Sequence, residues 1–97
     1  MALETTRWDA ADHLDSPEAI AAYLEAAFED GTPALITAAL GDVARARGMT
    51  SLARDTGVAR EALYRALSEN GNPEFATILK VLGALGLTLT VGPAKAA

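Results

Sequence analysis

Ninety-seven residues, 51% apolar but only 5% aromatic, suffice for one domain of closely packed helices and exclude a β-sandwich or a disordered chain. Eight Lys/Arg against thirteen Asp/Glu leave a net charge of -5, which taken whole argues against non-specific nucleic-acid binding. The absence of cysteine excludes disulfides, thiolate metal sites and cysteine nucleophiles, and fits a reducing cytosol.

The start Met1-Ala2-Leu3-Glu4 has no basic region followed by an apolar one, and no apolar run approaches membrane-spanning length, so neither a signal peptide nor a membrane span is expected. Proline placement then marks the elements. Ser16-Pro17, Thr32-Pro33 and Asn72-Pro73 each pair a side-chain oxygen that can cap an orphan backbone N–H with a residue already fixed at helical φ. A first helix is predicted over 17–29, with Ile20, Tyr23, Leu24, Ala27 and Phe28 on one face and Glu18, Glu25 and Glu29 in water.

A second helix is predicted over 33–47, with Leu35, Ile36, Ala39, Leu40 and Val43 inward and Arg45 and Arg47 complementing its negative end. Gly41 inside it costs about 1 kcal/mol relative to alanine, so a close helix contact is expected there. Thr50 is expected to cap a short helix over 51–56, broken at Gly57 and followed by another over 60–68. A fifth helix is predicted over 73–85, with Phe75, Ile78, Leu79, Leu82 and Leu85 inward. Residues Leu87 to Val91 alternate apolar and hydroxyl side chains, the period of a strand with one buried face. Its partner would be residues 5–8 or the same strand of a second subunit.

The stretch from Met49 to Leu67 carries the chemistry. A helix-turn-helix needs a small residue where its helices cross, a glycine in the turn and a second helix whose outer face meets base edges. Ala53, Gly57, Val58 and Leu63 stand at those spacings. The outward face of the second helix is then Ala59, Arg60, Glu61, Tyr64 and Arg65. Arginines there suit guanine edges or phosphates, and tyrosine suits a phosphate or a thymine methyl. Thr50 and Ser51 offer hydroxyls to a phosphate, with Arg54 on the same surface.

A helical hairpin with a solvated arginine face is the plainer reading, and local charge weighs against it. Residues 45–65 hold five arginines against Asp55 and Glu61, a balance of +3, whereas residues 1–44 hold nine acids and one base.

The sequence resembles the HigA-like addiction-module antidote proteins, helix-turn-helix antitoxins of bacterial type II toxin-antitoxin pairs. The likeness runs through Trp8 to Asp15, Tyr23-Leu24, Ala39 to Met49, Gly57, Arg60 to Leu67, Gly71-Asn72-Pro73 and Ala84-Leu85-Gly86. Ala59 departs from the family pattern, where a serine or threonine would supply a helix cap and a phosphate donor. The resemblance implies an all-α, five-helix, lambda-repressor-like fold, with residues 1–15 as an arm, 49–68 as the helix-turn-helix and 87–92 as a short strand.

It also implies a cytosolic antitoxin that neutralises a small, usually basic toxin of the RelE/ParE-like class, whose members act on mRNA at the ribosome or on gyrase. Such a protein represses its own operon by binding operator DNA. One recognition helix covers one half-site, so a homodimer is expected, with the segment from Gly86 onward as its first expected seam. The acidic first half suits a cationic partner, and Trp8, Asp9, Asp12, Leu14 and Tyr23 are the expected contacts.

Trp8 has a second reading, packing back on its own core. His13 is read as a surface histidine. Asp9, Asp12 and Asp15 recur every third residue, but without a second histidine, a cysteine or a glycine-rich loop they read as a solvated face. No constellation supports an enzyme, a cofactor or a metal. The rival functions are a stand-alone transcriptional regulator and an interaction module that no longer reads DNA.

Overall fold

A computed structural model describes residues 14–94. The described chain is built of five helices: α1 (Pro17–Asp30), α2 (Pro33–Arg47), α3 (Met49–Thr56), α4 (Arg60–Ala66) and α5 (Phe75–Ala84). The Ser16 hydroxyl accepts from the Ala19 N–H at 3.1 Å and Pro17 follows, so α1 begins as its sequence predicts. Before α2, Pro33 is again the first helical residue, but the Thr32 side chain makes no cap bond. Its backbone N–H donates instead to the Asp30 carboxylate at 3.3 Å.

Between α2 and α3 there is no loop. Gly48, at φ 107°, donates its N–H to the Ala44 carbonyl and accepts from the Leu52 N–H, so one residue closes one helix and opens the next. The predicted Thr50 cap is therefore corrected: α3 starts at Met49 and Thr50 lies exposed in its first turn. Likewise α5 starts at Phe75 rather than Pro73, because Glu74 is still extended (φ -65°, ψ 152°). Proline's fixed φ fits extended chain as well as helix, so Asn72-Pro73 alone does not decide.

The core is formed by Leu40 and Val43 of α2, Leu52 of α3, Leu63 of α4 and Val81 of α5, all fully buried, with Leu67, Leu82 and Leu85 closing around them. Helix α2 packs on both α1 and α3, and α3 packs on α4 and α5. On α5 the apolar arc is wider than the buried one. Val81, absent from the predicted inward set, is sealed in, while Phe75 is 62% exposed and Leu79 also faces outward.

At Gly41 a Cβ would lie 2.5 Å from the Leu67 carbonyl oxygen, which is the close approach expected of a glycine inside a helix. The backbone just beyond α4 thus rests directly on α2.

The C-terminal strand does not form, and the expected architecture is corrected accordingly. No residue among those described is in a strand, and residues 87–94 run on as irregular chain. Leu87 donates its N–H to the Leu82 carbonyl at 2.9 Å, which finishes the turn after α5. Beyond it the apolar members of the alternation face outward, Leu89 at 41% and Val91 at 97% exposure. A period of two indicates which side chains would share a face, but a strand exists only against a partner. The described residues provide none, and residues 5–8 lie outside them. No helix among the described residues is long and apolar enough to cross a membrane.

Candidate functional site

The sequence singled out the α3–α4 pair, and the fold presents it at the surface. Gly57 (φ 76°) ends α3 in the left-handed conformation, its N–H bonded to the Ala53 carbonyl at 2.9 Å. The Thr56 hydroxyl, which sequence reasoning passed over, then organises the turn. It donates to the Leu52 carbonyl at 2.8 Å and accepts from the Val58 N–H at 3.2 Å, fastening the turn to the helix before it. Val58 packs half-buried against the core, and α4 leaves the turn with only Leu63 sealed inside.

The remaining face of α4 is open. Ala59, Arg60, Glu61, Tyr64 and Arg65 are all exposed, as the helical spacing predicts. Ala59 stands at the N-cap of α4 with no side-chain cap bond, so a hydroxyl is missing where one would act. The Arg60 guanidinium lies over the Tyr64 ring, 5.4 Å from its centroid, and reaches the phenol oxygen at 3.5 Å. Among the described residues neither Arg60 nor Arg65 pairs with a carboxylate.

The other three arginines of the cationic stretch are engaged. Arg45 meets Asp42 at 2.7 Å. Arg47 donates to the Ala84 carbonyl at 3.0 Å, joining the end of α2 to the end of α5, and pairs with Asp55 at 3.4 Å. Arg54 lies 3.7 Å from Asp55 and 3.4 Å from the Ser51 hydroxyl, with most of its side chain in water. Among the described residues, the balance of +3 read along the sequence therefore contracts in space to two guanidiniums on α4 without a carboxylate and a half-committed one on α3.

Of the expected partner contacts, Trp8, Asp9 and Asp12 lie outside the described residues. Leu14 is buried in the core. Tyr23 is half-buried, and its hydroxyl donates to the Asp42 carboxylate at 2.7 Å. Asp42, which sequence reasoning passed over, is a buried acid held from both sides, by Tyr23 of α1 and by Arg45. Two charged or polar groups spaced for neighbouring turns were the available signal, Asp42 and Arg45 at i and i+3. Asp15 is exposed, and no group of acids and histidines among the described residues could hold a metal ion.

Fold and site together describe a small helical protein with an exposed cationic helix face at one place and an acidic first helix at another. The family described as "Probable addiction module antidote protein" matches residues 4–93, nearly the whole chain. An uncharacterized protein of Haemophilus influenzae strain Rd is 51% identical over 84 residues, covering 87% of this chain and 87% of that protein. The chain belongs to this family of probable addiction module antidote proteins. No solved structure matches it.

Proposed function

We propose that the chain is a cytosolic antitoxin that neutralises a basic RelE/ParE-like toxin and, as a homodimer, represses its own operon. In this reading α3 and α4 are a DNA-reading helix-turn-helix with α4 in the major groove. The observation that carries it is the pair Arg60 and Arg65, neither meeting a carboxylate among the described residues, flanking Tyr64 on the open face of α4 in a member of the antidote family.

A guanidinium without an internal carboxylate is available to a guanine edge or a phosphate without first breaking an ion pair. Arg60 stands at the helix start, where base edges are closest, and its stacking on Tyr64 narrows the positions it samples. Arg65 and Tyr64 reach the flanking backbone, and Arg54, Thr50 and Ser51 on α3 supply further phosphate contacts. Ala59 and Glu61 on the same face set limits: the first offers no donor and the second repels phosphate.

The missing Ala59 hydroxyl and the total charge of -5 favour a second reading, a partner-neutralising module that no longer reads DNA. Footprinting of the promoter upstream of the gene at two salt concentrations separates the two. The antitoxin-repressor protects a paired site, with protection that weakens steeply as salt rises. The interaction module protects nothing at either concentration.

A further inference from the structure

Helix α1 and the chain beyond α5 enclose an open groove that the proposed function leaves unused. Its apolar lining includes Leu24 and Phe28 of α1, Leu82 of α5, and Leu87 and Leu89 of the tail. Phe28 is 37% exposed and Leu89 41% exposed, so the groove is apolar surface still in contact with water.

Its α1 side is acidic. Glu25 is part of the lining and Glu18 lies two turns earlier on the same flank of the helix, both exposed. Over Pro17–Asp30 there are four acids and no base. The wall opposite carries Thr88 and Thr90 and no charge. Among the described residues no backbone hydrogen bond engages residues 88–94, which leaves amide and carbonyl groups along that wall.

We propose that this groove is the seat of a cationic segment of the protein partner, one that inserts an apolar side chain between Phe28 and Leu89 and lays Lys or Arg along Glu18 and Glu25. This rests on the antitoxin reading, and it moves the partner contact from the N-terminal residues to α1 and the tail. The occupant follows from charge complementarity. An apolar floor bounded by carboxylates on one side attracts a basic segment and repels an acidic one. A second copy of this chain would bring another acidic α1 against the first. The groove is also clear of the DNA face, since none of its lining residues belongs to α3 or α4.

Titration calorimetry of the full chain against the purified product of the adjoining gene tests the assignment. Three variants serve: Glu18→Lys with Glu25→Lys, its milder form Glu18→Gln with Glu25→Gln, and Phe28→Ala with Leu89→Ala. All four positions reach solvent, and circular dichroism confirms that each variant is folded. The lysine pair is expected to weaken binding about 100-fold, the glutamine pair about 10-fold with a smaller dependence on salt, and the alanine pair about 10-fold through faster release. Arg60→Ala with Arg65→Ala leaves this affinity unchanged.

Binding of all three groove variants within about twofold of the wild type overturns the groove while the antitoxin reading stands. Conversion of a two-chain species to a single chain in sedimentation, with partner affinity intact, overturns it in favour of self-association. Failure of the wild type to bind the adjoining gene's product takes down the antitoxin reading and the groove with it.

Discussion

The end of α2 and the open face of α4 each carry two arginines, and they use them differently. Arg45 and Arg47, though exposed, are bonded within the chain, one pairing with the buried Asp42 and the other holding the end of α5 and Asp55. Arg60 and Arg65 have no carboxylate among the described residues and are exposed on the open face, Arg60 over the Tyr64 ring. Equal formal charge along the chain therefore corresponds to fastening at one place and to an available cationic surface at the other. What separates the two is whether an acid or a carbonyl lies within reach, a property of packing rather than of composition.

That distinction is broken if changes in the first set alter binding, or changes in the second alter stability. The largest stability effect is expected at Asp42. Asp42→Ala removes the acceptor shared by Tyr23 and Arg45 and is expected to lower stability by about 2–3 kcal/mol. In a domain of this size that corresponds to roughly 10 °C or more in melting temperature, read by circular dichroism. Operator affinity of the protein that remains folded is expected to stay the same, because Asp42 is buried against Tyr23 of α1 and is not part of the open face of α4.

Gly41→Ala comes next. Alanine is the better helix former by about 1 kcal/mol, yet its Cβ meets the Leu67 carbonyl at 2.5 Å, and backbone cannot swing away as a side chain can. A net loss of about 1–2 kcal/mol in chemical denaturation is expected, and a gain would contradict the close approach. The smallest effect is a gain: Ala59→Ser restores a hydroxyl at the N-cap of α4 and is expected to add about 1 kcal/mol, with a higher denaturation midpoint and an unchanged denaturant slope.

Much of this molecule is legible in its sequence, for reasons visible at particular residues. Ser16-Pro17 opens α1 because cap and proline are local signals, at Thr32-Pro33 the proline serves without a side-chain cap, and the spacing of Ala53, Gly57, Val58 and Leu63 locates the α3–α4 turn that Thr56 then fastens. The outer face of α4 is likewise legible, since about 3.6 residues per turn leave few choices once Leu63 is inward.

The misses come where a local pattern needs a distant partner. Leu87 to Val91 alternates as a strand does, and no neighbouring strand among the described residues completes it. Asn72-Pro73 resembles a helix start, but Glu74 stays extended. Asp42 reads as one more acid of a solvated half until Tyr23, nineteen residues earlier, is found against it. The tail forms a groove with α1 that no periodicity within either segment indicates.

The central claim is that the two arginines of α4 carry operator recognition while the rest of the cationic stretch holds the fold. A gel-shift titration of the promoter fragment with the wild type and with Arg60→Ala, Arg65→Ala tests it most directly, with both melting curves measured alongside. The account predicts operator affinity at least 100-fold lower in the double variant, an unchanged melting temperature and undiminished binding of the adjoining gene's product. Operator affinity retained by the folded double variant would contradict it.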